Sequence, residues 1–171
     1  MPSPRSFAQH SPDRWHILGA GAIGSLYAYF LRDRSHFILN PHGSLSNKTE
    51  LSITLQTTPL KNKNVHTKFK IPCSLAQQNT AIQNLLICTK ANHTEKAIEQ
   101  LKLNDNTNIV LLQNGMGNFD KLEQRFPHCK IFCATTTHGA FRQSDTHTVH
   151  AGIGKTYLGS LNNLTNNDSG I

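Results

Sequence analysis

Three features of the sequence predict an α/β fold with a doubly wound, mostly parallel sheet. Short, largely apolar runs recur at residues 15–18, 36–39, 85–88, 109–112 and 130–134, and runs of this length without polar alternation suit strands covered on both faces. Segments with helical period lie between several of them. The first run stops at a glycine-rich turn that opens a helix, which is how a βαβ unit begins.

Taken in order, residues 1–14 are polar and carry Arg5, His10, Asp13 and Arg14. They lack the apolar stretch of a secretory leader and read as a tail. Trp15-His16-Ile17-Leu18 is the first strand. After the turn, Ile23, Leu26, Tyr27, Phe30 and Leu31 recur at the spacing of one helical face, up to Asp33-Arg34. Residues 36–39 form the second strand, and Asn40-Pro41-His42-Gly43 ends it with turn chemistry. Residues 51–55 and 65–71 predict a β-hairpin insertion. Its second arm carries Lys68 and Lys70, close to Lys61, Lys63 and His66, and lysines on an exposed strand discourage pairing with another chain.

Residues 85–88 predict a buried strand that ends in the loop Thr89-Lys90-Ala91-Asn92, with a short helix over 94–101. The strand at 109–112 leads through Gln113-Asn114-Gly115-Met116-Gly117 into a helix over 119–126 that Pro127 closes. The last buried strand covers 130–134. Beyond it, 135–138 and 146–158 are β-rich, and antiparallel strands are expected near this end. Residues 160–171 form a polar, Asn-rich tail or truncated linker.

Seventeen Lys and Arg against ten Asp and Glu give +7 with histidine neutral, which favours anionic partners. The basic residues are spread along the chain, with no face of interleaved aromatics for base stacking, so no nucleic-acid partner is expected. No run approaches the roughly 18 apolar residues of a spanning helix, so no membrane partner is expected and the cytoplasm is the expected location. Cys73, Cys88, Cys129 and Cys133 contain no CxxC pair and read as buried free thiols of a reducing compartment.

The chemistry centres on Gly19-Ala20-Gly21-Ala22-Ile23-Gly24. A strand before it, an amphipathic helix after it and a second strand beyond make this a Rossmann-like dinucleotide fingerprint. Gly19 allows the tight turn, Gly21 removes a Cβ that would block a pyrophosphate, and Gly24 lets helix and strand pack closely. The helix N-terminus then faces the phosphates. The expected organisation is one dinucleotide-binding domain over 15–159 between two polar ends.

After the second strand, residues 39–46 hold His42 but no Asp, Glu, Arg or Lys, the nearest cation being Lys48. An acid there would hold an adenosine ribose and repel a 2′-phosphate; its absence leans towards NADP. The loops of Lys90 and Asn114 follow successive strands and should border the same crevice as Gly21. Thr135-Thr136-Thr137-His138-Gly139-Ala140 is a hydroxyl-rich segment in which Gly139 suits close ligand approach, while His138 is read as structural or solvent-exposed. His147 and His150, three apart on a strand, point to opposite faces and make a poor metal pair, so no metal site is expected.

Together, several segments resemble the N-terminal NADP-binding domain of the ketopantoate reductase (2-dehydropantoate 2-reductase) family. They are Ile17-Leu18-Gly19-Ala20-Gly21-Ala22-Ile23-Gly24-Ser25, Leu86-Ile87-Cys88-Thr89-Lys90-Ala91, Gln113-Asn114-Gly115-Met116-Gly117, Ala134-Thr135-Thr136-Thr137-His138-Gly139-Ala140, and a strand pair of His150-Ala151-Gly152 with Tyr157-Leu158-Gly159. The resemblance implies reduction of 2-dehydropantoate to pantoate by NADPH in pantothenate biosynthesis, with Gly19 to Gly24, His42 and Gly139 on the cofactor and Lys90 and Asn114 lining its nicotinamide end. It also implies a second, helical domain, whose lysine protonates the developing alkoxide and whose acid holds the substrate. The family's arginine for the 2′-phosphate has no match, its position falling near His42 and Gly43, so a reduced margin for NADP over NAD is expected.

The chain stops soon after Gly159, where the family's helical domain would begin. No catalytic residue is therefore expected within it, and no turnover by the chain alone. Three readings stay open: a reductase whose helical half is missing or is supplied by a separate chain, a dinucleotide-binding module without turnover, and, as the outsider, a basic nucleic-acid-binding protein.

Overall fold

Strands that are apolar without interruption become the covered centre of one ten-stranded sheet. The computed structural model describes residues 13–57, 64–76, 82–114 and 117–160. Its elements are β1 (Trp15–Leu18), α1 (Ala22–Leu31) with a 3₁₀ turn (Arg32–Arg34), β2 (Ser35–Leu39), β3 (Glu50–Thr57), β4 (Val65–Leu75), β5 (Asn84–Ile87), α2 (Ala91–Ile98), β6 (Asn108–Leu112), α3 (Phe119–Arg125), β7 (Lys130–Thr136), β8 (Gly139–Ser144), β9 (His147–Gly152) and β10 (Thr156–Gly159). The strand order is β10-β7-β6-β5-β1-β2-β4-β3-β9-β8. β7, β6, β5, β1, β2 and the end of β4 are mutually parallel. The β3–β4 hairpin, β8 against β9 and β10 against β7 are antiparallel. This is the Rossmann-like sheet that the sequence predicts, with its hairpin insertion and antiparallel ends.

The side-chain period of two sends alternate strand residues to two separate cores. Leu18, Ile38, Leu85, Ile87, Ile109 and Leu111 face one side, where Ile98 and Leu101 of the α2 region and Phe119, Leu122 and Phe126 of the α3 region cover them. Ile17, Phe37, Leu39, Leu86, Val110 and Leu112 face the other, against Ala28 and, less deeply buried, Ile23, Tyr27 and Leu31 of α1. The predicted apolar face of α1 is thus only partly correct. Small residues, Gly24, Ser25 and Ala28, are buried with Leu26, because α1 lies close to the sheet. Phe30 instead stays 47% exposed and meets His138 at a tilt and His150 edge-on.

Several expectations need correction. The helix expected over 94–101 is α2, beginning at Ala91 and ending at Ile98. Lys90 is already extended before it, and the Thr94 hydroxyl donates back to the Lys90 carbonyl at 3.1 Å, which holds the first turn. The second arm of the hairpin runs on through Pro72 to Leu75. Proline is tolerated there because the strand changes partner at that point, from β3 at Pro72 to β2 at Cys73. β4 is therefore interior to the sheet, although its lysine-bearing stretch pairs only with β3 among the described residues, and Lys70 meets Glu50 at 2.8 Å across that pair. Lys61 and Lys63 lie outside the described residues, as do 1–12 and 161–171 of the two polar ends.

β8 was not expected as a strand, and β9 and β10 do not pair with each other. β9 lies between β3 and β8, while β10 joins β7 at the opposite edge. Gly154 makes the crossing between them: a Cβ there would fall 2.3 Å from the Thr137 carbonyl carbon. Thr137 and Lys155 then exchange backbone and hydroxyl bonds at 2.9 Å. All four cysteines are free, but only Cys73 is fully buried by residue and the others are half-buried. Burial pushes every one of these thiols up, away from the reactive thiolate. No helix among the described residues is long and apolar enough to cross a membrane.

His16 and His36 are paired in register on β1 and β2, with ring centroids 5.2 Å apart. Burial, then Arg14, pushes His16 down to about 4; burial, then His16 and Arg14, does the same to His36. His36 Nε2 bonds the Ser74 hydroxyl at 2.8 Å, while both Nδ1 atoms are buried without a partner.

Two predictions follow from this packing. Because the folded rings titrate below the free value of about 6.5, the unfolded chain takes up more protons between pH 6.5 and 4, and stability falls as pH drops through that window. The expected loss is about 2 kcal/mol per ring after allowance for solvent screening. Urea denaturation from pH 7.5 to 4 checks it, and His16→Leu should flatten the slope. Separately, Gly24→Ala should cost about 3 kcal/mol or more and lower the thermal midpoint by about 10 °C, since its Cβ would sit 2.0 Å from the Gly19 carbonyl oxygen.

Candidate functional site

Each of the three glycines has its own steric reason. Gly19 has φ +108°, and a Cβ there would press to 2.9 Å from the Thr89 backbone nitrogen. Gly24 abuts the Gly19 carbonyl, as above. Around a Cβ built on Gly21 nothing lies within 4 Å. The turn therefore presents bare backbone to open space, and α1 begins there with no side-chain cap and no acid in its first turn. First-turn N–H groups left in this way favour an anion.

This turn stands where the strand order reverses, with β2 on one side of β1 and β5 on the other. Ligands of doubly wound sheets sit at such a point, beyond the carboxyl ends of the strands. Two cavities open there. The first, about 390 Å³, is lined by Gly19, Ala20, Gly21, the end of β2 with His42, and Thr89, His93 and Lys96. The second, about 300 Å³, is lined by Ile23, Thr89, Lys90, Asn114, Thr136 and His138. Thr89 borders both, so the two form successive parts of one crevice.

The walls of the second cavity are braced from behind. The Gln113 amide donates to the Thr89 carbonyl at 2.7 Å and to the Thr94 hydroxyl, and its oxygen accepts from Asn118 at 2.9 Å. Asn118 also donates to the Ala91 carbonyl at 3.0 Å. One side chain thus ties the Lys90 loop to the Asn114 loop. On the far wall the Gly154 N–H donates to His138 Nδ1 at 3.1 Å, and His150 Nε2 lies 3.0 Å from the same atom. Burial, then His138, lowers the His150 pKa. His138 is held by these contacts and also borders the cavity. Its partner His150 lies apart from His147, whose ring meets His66 instead.

Gly19, Ala20, Gly21 and His42 thus come together at the first cavity, and Ile23, Lys90 and Asn114 at the second. Ala22 and Gly24 sit behind the turn in α1, lining neither. Gly139 lines neither of these two cavities. It opens β8 against the backbone of Gly152, whose nitrogen would lie 3.4 Å from an added Cβ, so its smallness serves strand pairing. Gly115 and Met116 lie outside the described residues.

Sequence reasoning missed Arg142 and Asp145, which also line the first cavity. Arg142 Nη2 donates to Asp145 at 2.5 Å, and Ser44, on the loop after β2, donates to the other carboxylate oxygen at 3.0 Å. A search of residues near the end of β2 could not find a side chain a hundred positions away. The missing signal was the pairing of β9 with β3.

Comparison with known proteins gives the family and the fold. The family profile described as Ketopantoate reductase PanE/ApbA matches residues 15–163. A 2-dehydropantoate 2-reductase of Vibrio cholerae is 32% identical over 153 residues, covering 86% of this chain and 47% of that protein. The chain spans about half the length of the curated relatives it matches. Among solved structures, a probable 2-dehydropantoate 2-reductase of Bacillus subtilis superposes with TM-score 0.69 at 22% identity, over 92% of this chain and 51% of that one. A D-mandelate dehydrogenase solved with NADH and anilino(oxo)acetate gives 0.64 at 24%, over 85% and 47%; at these identities the likeness carries the fold. By the extent of the family match, this chain belongs to the ketopantoate reductase family.

Proposed function

We propose that these residues form the dinucleotide-binding part of an NADPH-dependent 2-dehydropantoate 2-reductase acting in the cytoplasm. The observation that carries the reading is the turn at Gly19, Gly21 and Gly24, held at the reversal point of the sheet with empty space at Gly21 and an uncapped helix behind it. The residues present fit a dinucleotide. A pyrophosphate takes the place that a Cβ at Gly21 would fill, the adenosine half takes the cavity beside His42, and the nicotinamide half takes the cavity beside Lys90 and Asn114. Ala20, Ala22 and Ile23 complete the turn.

Bound NADPH would supply the hydride for the ketone carbon of the substrate. The chain's own side chains bind and orient. Lys90 places an ammonium at the second cavity, where it attracts an anionic 2-keto acid, and the Asn114 amide offers two donors and an acceptor. Gln113 keeps the two at a set separation, which matters because orientation lowers a barrier only while it is held. Protonation of the developing alkoxide and clamping of the substrate are assigned to residues of a helical domain outside these 171 residues, on the same polypeptide or a separate one. The family resemblance and the half-length match to the relatives support that division.

Gly21→Val should remove saturable NADPH binding, read by the enhancement of nucleotide fluorescence, and leave the thermal midpoint within a few degrees, since no packed atom lies near the new side chain. Normal binding by this variant would reduce the turn to a structural one.

The 171 residues alone, saturated with NADPH, should oxidise it at background rate when 2-dehydropantoate is added, because loss of general-acid help alone removes about 10²–10⁴-fold. Adding the helical half of a family member should raise the rate. A binding module without turnover would stay silent with the added domain, and brisk turnover without it would place the proton donor in this chain.

A further inference from the structure

Residues 39–46 at the end of β2 carry no cation to meet a 2′-phosphate, and Lys48 further along that loop does not line the cavity, yet the cavity at that end of the crevice is not without a cation. Arg142 lines it, brought there from β8 by a chain of strand pairings: β3 runs beside β9, and β9 beside β8. Its guanidinium is aimed. Nη2 donates to Asp145 at 2.5 Å, Nε to the Ser144 carbonyl at 3.3 Å, and Asp145 is itself held by Ser44 at 3.0 Å. Two of the five N–H groups of an arginine are thereby used, and the other three have no partner among the described residues. The Arg142 side chain is 34% exposed, against 58% for Asp145.

Two ligand chemistries compete at this position. A free carboxylate would accept from an adenosine ribose and select an unphosphorylated dinucleotide, whereas a free guanidinium would select a 2′-phosphate. Among the described residues Asp145 is the only acid lining the cavity, and each of its oxygens already accepts a hydrogen bond, one from Arg142 and one from Ser44. Lys96 of α2 adds a second cation to the lining of the same cavity. The balance is one net positive charge with a guanidinium whose remaining donors are unspent, which suits a phosphate dianion.

Resting on the reading that the crevice binds a dinucleotide, we propose that Arg142, aimed by Asp145 and Ser44, is the residue that recognises the adenosine 2′-phosphate and so sets the preference for NADP(H). The arginine is delivered from the far side of the hairpin insertion and not from the end of β2.

Calorimetric titration of the chain with adenosine 2′,5′-bisphosphate and with adenosine 5′-monophosphate tests this without any turnover. The unmodified chain should bind the bisphosphate more tightly. Arg142→Ala should weaken the bisphosphate about ten- to hundredfold and leave the monophosphate within about twofold, the scale of losing charge-assisted bonds to a phosphate. Arg142→Lys should fall between, since it keeps the charge and loses the fork. Lys102→Ala, which removes an equal charge from an exposed site outside the cavity, should change neither; unchanged thermal midpoints exclude misfolding. An equal loss for both nucleotides, or an unchanged ratio, overturns the role of Arg142 while the dinucleotide reading stands. If the unmodified chain binds neither nucleotide and no NADPH, the dinucleotide reading falls and this proposal falls with it.

Discussion

Everything at the crevice depends on one contact, the seating of Gly24 on the Gly19 carbonyl. With a Cβ only 2.0 Å from that oxygen, any other residue would lift α1 off the end of β1. The helix N-terminus would then no longer point over the carboxyl ends of the strands, and Gly21 would no longer border the first cavity. A van der Waals constraint of this kind is cheap in sequence, since it asks for one missing methyl group. It nonetheless fixes where an anion can be held without any charged side chain.

The parallel centre of the sheet was legible because it is made of local signals. Unbroken apolar runs became β1, β2, β5, β6 and β7, and the turn into α1 and its first turn carried the three glycines at the spacing a dinucleotide fold needs. The ends were less legible because they depend on pairings between distant segments. Residues 139–144 show no alternation that would mark β8 as half-buried, and it is indeed mostly exposed at the sheet edge. The resemblance paired β10 with β9, but the close approach of Gly154 to the Thr137 backbone sends the chain to the other edge.

The candidate site divides in the same way. Lys90 and Asn114 were found because each immediately follows a buried strand. Arg142 and Asp145 escaped because their relation to Ser44 exists only once β9 has docked on β3. Gly139 shows a related ambiguity: a glycine beside a threonine run suits a ligand or a neighbouring strand, and the register of β8 with β9 accounts for the strand part.

The two ends of the crevice are also held with different stiffness. Behind Lys90 and Asn114, one glutamine satisfies a carbonyl and a hydroxyl and is satisfied in turn by Asn118. Thr94 is fully buried within that network. Breaking it would strand buried polar atoms, at about 1–3 kcal/mol each. At the other end, Arg142 is held by an ion pair whose acid is more than half exposed, an interaction worth only about 0–1 kcal/mol. On the proposed reading, the end that would hold reacting groups in register is therefore the stiffer one. The end proposed to distinguish one dinucleotide from another rests on a surface contact that can change without disturbing the first.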